Sequence, residues 1–273
     1  MTTGEVHRLK IWFASLVRHN QSDDGDIRIN VRLKAHHTYQ VCREARMVAS
    51  GIGLDPADVN LAEAAALLHD VGRFEQYLLF RTFNDAESTD HAALGLEILR
   101  REAILSGLAG HDAQHIVDAI KAHNRPDIPT DLTPKGLLLS KILRDADKLD
   151  IWKIIVGYYE QPVEQRNRAI AMGLPDTPGV STAVLARLRE EQAVLRKDLR
   201  NLNDLKLFHI GWVYDLNLQP AFQAVGDRRY IERIAETLPP SEETEELVRK
   251  AVQFVLTRSL RADAVAPPRQ KPS

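Results

Sequence analysis

The chain has 273 residues, 44% hydrophobic and 27% charged, an ordinary globular balance with enough apolar surface for a sizeable core. Its 36 basic and 38 acidic side chains leave a formal charge of -2, so no basic excess advertises a nucleic-acid partner. Cys42 is the single cysteine, which excludes an internal disulfide and a thiolate metal cluster and leaves any metal to ten histidines and the carboxylates.

Helical spacing recurs along the whole chain, whereas the period-2 alternation of strands never persists, so the predicted fold class is all-α. Helices are expected over 6–18, 30–50, 57–70, 89–102, 111–124, 134–149, 151–159, 181–202, 206–216, 227–237 and 241–261. Asp55-Pro56 and Thr133-Pro134 read as helix starts, each a capping residue followed by proline in the first turn. Ser241 is a cap for the last helix, and the acids after it suit a helix N-terminus. Gly51 to Asp55 reads as a turn and Asn124 to Pro134 as a longer loop. The Pro- and Gly-bearing stretch 161–179 is a linker or mobile loop, and the proline-rich tail 263–273 is expected to be disordered. Residues 1–262 read as one all-helical domain, with a core over about 30–160 and a helical extension over 161–262. Residues 1–29 lack the continuous apolar run of a secretory signal, and stretches such as Ala64–Leu68 and Gly136–Leu139 are too short to span a bilayer. A soluble, cytoplasmic protein without a membrane partner is expected, its oligomeric state unspecified.

Helical facing sorts the histidines. Adjacent residues are rotated by about 100° on a helix, so His36 and His37 cannot share a face. Steps of three or four from His37 reach Leu33, Val41, Ala45 and Val48, an apolar stripe; from His36 they reach Arg32, Gln40, Arg43 and Met47. His37 therefore points at the core and His36 at solvent. The segment Leu61–Leu68 is apolar nearly all round and ends in His69-Asp70, a buried pair whose carboxylate needs a cation or a cationic partner. His91 shares a face with Leu94, Gly95 and Ile98, and His123 with Ile116, Ala119 and Ile120. Read singly, each is a core histidine with a hydrogen-bond partner. His111 and His115 read as surface residues. Asp145, Asp147 and Asp150 cluster in Leu143–Asp150, where periodicity does not choose between Asp145 and Asp147 as a ligand. The aromatic-rich segment Phe208–Asn217 reads as packing between the extension and the main body.

His37-Thr-x-x-Val41, Leu67-Leu-His-Asp-Val-Gly-Arg73 and Ala146-Asp-Lys-Leu149, in the order H…HD…D, resemble the HD-domain metal-dependent phosphohydrolases over roughly residues 30–160. The resemblance implies an HD-domain-like helical bundle with a C-terminal helical extension. It implies a principal metal on His37, His69, Asp70 and Asp147, which decides between Asp147 and Asp145. His91 and His123 occupy the places of the two further histidines of the binuclear branch, so a second ion bridged by Asp70 is implied. Arg73 stands where many members have lysine; its fork still suits a phosphate oxygen. The Gly-Tyr-Pro signature of the cyclic-dinucleotide branch is missing.

The function implied is hydrolysis of a phosphate mono- or diester, of a nucleotide or similar small molecule, by water activated on one or two divalent ions. Asp70 and Arg73 would be the catalytic side chains, and Arg73, Arg125 and Lys148 the substrate-binding cations. Mn, Fe, Co, Ni, Zn and Mg all accept mixed imidazole–carboxylate ligands. The alternatives are a di-iron oxygenase with the same six ligands and a non-catalytic binding module that has kept the fold.

Overall fold

The computed structural model describes residues 1–162, 164 and 170–261; part of the expected linker and all of the expected disordered tail lie outside them. The described residues are helical throughout, with short turns and 3₁₀ segments and no strand. The helices are α1 Thr3–His19, α2 Gly25–Gly51, α3 Pro56–Leu68, α4 Gly72–Phe80, α5 His91–Arg101 and α6 Gly110–His123, then α7 Pro134–Glu160. They continue as α8 Thr182–Arg189, α9 Leu202–Gly211, α10 Gln219–Asp227, α11 Tyr230–Ala235 and α12 Glu242–Ser259. Among the described residues, no helix is long and apolar enough to cross a membrane.

The start signals act as the side-chain chemistry requires. The side chains of Asp55, Thr133 and Ser241 accept hydrogen bonds from the amides of Asp58, Gly136 and Thr244. Boundaries differ where tertiary contacts outweigh periodicity. The expected helices 134–149 and 151–159 are one continuous helix, because Asp150 is not a break but a buried side chain bonded across to α2. Helix α4 was not expected, since it follows the His69-Asp70 turn with almost no gap and its nine residues are too few to show a period. The expected 181–202 helix stops at Arg189, and α10 fills a stretch read as a connection. His115, read as a surface residue, is buried and bonded to the Thr133 hydroxyl, so the cap of α7 covers it.

The long helices α2 and α7 pack together and onto α3, which is buried along nearly its whole length. This puts the middle of α2, the end of α3 and the middle of α7 at one point. Helices α5 and α6 close the other side. Gly72 lets α4 and α5 meet: a Cβ there would lie 2.1 Å from the His91 carbonyl oxygen and 2.6 Å from the Gly95 amide. The extension is built onto α7. Trp152 of α7 donates to the His209 carbonyl and packs edge-on against Trp212, so Phe208–Asn217 is packing, as its composition suggests. Asp145 accepts from the amides of Asn217 and Leu218, a purely structural role.

Two predictions follow from these contacts. Gly72→Ala forces α4 from α5 and is expected to destabilise the protein by about 2–3 kcal/mol in denaturant unfolding. Burial pushes the His209 imidazole down from 6.5 to about 3, so the folded chain keeps it neutral while the unfolded chain takes up a proton below pH 6.5. Its contribution to stability is intact above that pH and is lost as pH falls toward about 3. Melting temperatures between pH 7 and pH 5 should fall less steeply for His209→Gln than for the wild type; equal slopes would contradict this.

Candidate metal centre

The fold brings six side chains from five elements together. His37 comes from the middle of α2, His69 and Asp70 from the turn that ends α3, and His91 from the first position of α5. His123 comes from the last turn of α6 and Asp147 from the middle of α7. The four imidazoles and Asp70 are all buried. Ligand atoms of His37, His69 and Asp70 lie within 4.8 Å of one another, and so do those of Asp70, His91 and His123; either group could hold a metal ion. Asp70 is common to both. Its Oδ2 faces His37 Nε2 at 3.6 Å and His69 Nε2 at 3.5 Å. Its Oδ1 faces His91 Nε2 at 3.3 Å and His123 Nε2 at 3.9 Å. Asp147 Oδ1 adds a second carboxylate to the first group, 3.1 Å from His37 Nε2 and 3.7 Å from His69 Nε2.

Every imidazole is turned the same way by its other nitrogen. His37 Nδ1 donates to Asp150 Oδ2 at 2.6 Å and His91 Nδ1 to Asp85 Oδ2 at 2.7 Å. His69 Nδ1 donates to the Ala66 carbonyl and His123 Nδ1 to the Ile120 carbonyl, each at 2.7 Å. Carboxylates and carbonyls only accept, so Nδ1 carries a proton in each and Nε2 is the atom turned to the centre. His37 Nε2, His69 Nε2 and Asp147 Oδ1 are buried without a hydrogen-bond partner. His91 Nε2 and His123 Nε2 face each other at 2.9 Å. Burial lowers the affinity of both for a proton, His123 to about 3, so two lone pairs are in contact. A cation held between them would relieve that arrangement. The donor set therefore fits one or two divalent ions held by nitrogen and oxygen.

Burial and Lys34 oppose protonation of His37, yet the carboxylates of Asp147 and Asp150 beside it outweigh them and lift it to about 9, so its Nε2 too carries a proton at neutral pH until a cation takes that place. Burial opposes ionisation of Asp70 and Asp147, but Lys34 and His69 hold Asp70, and His37 and His69 hold Asp147, well below the usual carboxylate range.

The cations expected to bind substrate have different surroundings. Arg73 Nη1 donates to Gln76 Oε1, the Phe83 carbonyl and Asp85 Oδ1, and its Nε lies 3.5 Å from Asp70 Oδ1. Lys148 is engaged elsewhere: its Nζ lies 2.9 Å from Asp215 Oδ2, which Arg144 also contacts. Arg125 is exposed, and its backbone carbonyl, not its side chain, is what Arg144 binds. Three residues at the centre escaped the sequence reading of roles. Asp150 is one helical turn after Asp147, and Lys34 one turn before His37, so a shared face signalled both. Asp85 lies in a 3₁₀ turn, where no periodicity could mark it.

Residues 35–152 match the family model of the HD domain. Among curated proteins, the chain is 27% identical over 124 residues to a tRNA (cytidine(56)-2'-O)-methyltransferase of Thermoplasma volcanium, covering 42% of this chain and 34% of that one. It is 28% identical over 95 residues to Ribonuclease Y 1 of Pediococcus pentosaceus, covering 32% of this chain and 16% of that one. The chain thus spans about a third or less of the length of these relatives. No solved structure matches. The matched segment contains all six residues of the cluster, whereas the extension from α8 onward lies outside it.

Removing the acceptors behind the imidazoles tests the centre without touching a ligand. Asp85→Asn and Asp150→Asn are each expected to weaken metal binding about 10- to 100-fold by calorimetric titration, with unchanged far-UV circular dichroism.

Proposed function

We propose that the protein is a metal-dependent phosphohydrolase acting on a phosphate mono- or diester, that of a nucleotide or a similar small molecule. The observation that carries the reading is the convergence of four buried imidazole Nε2 atoms on both oxygens of one carboxylate, Asp70, those of His37 and His69 without a hydrogen-bond partner. His37, His69, Asp70 and Asp147 would hold one divalent ion, and Asp70, His91 and His123 a second. Ions held there would lower the pKa of bound water toward neutrality and polarise the phosphoryl oxygens.

The chain's own residues do the rest. Asp70, with an oxygen in each half, orients the attacking water. Asp150 and Asp85 keep His37 and His91 in the tautomer that presents Nε2. Arg73 is braced by Asp85 through Nη1, while its Nη2 makes no protein hydrogen bond among the described residues and is left for a phosphate oxygen. Arg125, exposed two residues past His123, is a second cation for the rim. The likeness to a ribonuclease, Ribonuclease Y 1, supports a phosphodiester of the nucleotide class.

The test joins metal analysis of protein purified without chelators to phosphate-release assays over nucleoside mono- and triphosphates and cyclic and dinucleotide esters. Asp70→Ala is expected to abolish release while the helical fold persists by circular dichroism. Undiminished release in that variant would sink the hydrolase, and two bound irons without release under any metal would favour the oxygenase.

A further inference from the structure

Lys34 has no role in the ligand set, yet its ammonium lies inside the centre. It stands one helical turn before His37 on α2 and is largely buried, its side chain 17% exposed. Its Nζ donates to Asp70 Oδ2 at 2.7 Å. That oxygen is the one that His37 Nε2 and His69 Nε2 face at 3.6 and 3.5 Å, too far for either to bond it. Lys34 is therefore the hydrogen-bond donor on the oxygen that belongs to the first metal group. On its other side, Nζ stands 5.3 Å from the centre of the Phe83 ring. Phe83 lines a cavity of about 290 Å³ that also touches Arg196, Asn84 and, from the extension, Met172. The loop that carries Phe83 carries Asp85 too, the acceptor behind His91.

From this juxtaposition we infer that Lys34 is a displaceable counter-cation: it neutralises Asp70 until a divalent ion binds, and then swings toward Phe83 to hold the substrate's phosphate at the mouth of the cavity. Two cations on one carboxylate oxygen repel across a poorly solvated site, so the ion and the ammonium compete for Oδ2. The four-carbon stem of lysine allows the move, and the ring face of Phe83 already receives the charge. Once released, the ammonium lies between the metal group and the cavity, where an anion bound to the ion would meet it. Its first half concerns metal binding alone; its second half rests on the phosphohydrolase reading.

Lys34→Met keeps the length of the side chain and removes its charge. Titrating manganese into metal-stripped protein by calorimetry should show binding about tenfold tighter in Lys34→Met than in the wild type, the size of an ordinary coupling between two ligands. Inorganic phosphate should bind the manganese-loaded variant about tenfold more weakly than the manganese-loaded wild type. Equal or weaker metal binding in the variant overturns the inference, and so does unchanged phosphate binding. If the variant does not fold, a structure of the wild type with manganese decides: Lys34 Nζ still within hydrogen-bonding distance of Asp70 Oδ2 overturns it, and separation upholds it. Failure of every phosphate ester to be hydrolysed would count against the proposed function and leave the metal competition measurable by itself.

Discussion

The carboxylate of Asp70 is the constraint around which the rest of the structure is arranged. A buried carboxylate is costly unless cations and donors surround it. Here four imidazole nitrogens, an ammonium and a guanidinium do so, drawn from α2, the turn after α3, α4, α5 and α6. Each element must approach this point closely, which explains features that have no other use. Gly72 removes a side chain between α4 and α5, where His91 begins. Asp90 caps α5 and also accepts from Asn124, tying the start of α5 to the end of α6 where His123 lies.

A second layer orients the cluster. The acceptors behind the imidazoles all sit on Nδ1, so all four Nε2 atoms point inward. Two are backbone carbonyls one helical turn back, and two are carboxylates, Asp85 and Asp150, brought in from elsewhere. The extension serves this layer indirectly. Asn217 and Leu218 satisfy Asp145, and Asp215 neutralises Arg144 and Lys148, so α7 can carry several charged residues through a buried interface and still present Asp147. The match to the HD domain over 35–152 follows this division, in which the matched part contains the cluster and the following helices brace it.

Much of this was legible from residue order alone. Helical facing selected His37 over His36, and the structure buries the first and exposes the second. The apolar run Leu61–Leu68 placed His69 and Asp70 at the end of a buried helix, because a helix without a polar face has to lie inside. The caps Asp55, Thr133 and Ser241 were readable because their chemistry is local. His115 was misread for the opposite reason: its burial comes from Thr133, eighteen residues away, and no local pattern records that contact.

The sequence by itself determined the helical class, the inward faces and the H…HD…D order, since these rest on interactions between near neighbours in the chain. Distinguishing Asp147 from Asp145 by geometry needed the tertiary structure, because they differ in what faces them: two imidazoles for one, two backbone amides for the other. The same holds for Lys148, which the fold gives to Asp215, and for Asp85 and Lys34, which it gives to the centre. A side chain's partner across the core is fixed by packing between distant segments, and the spacing of residues along the chain carries no record of it.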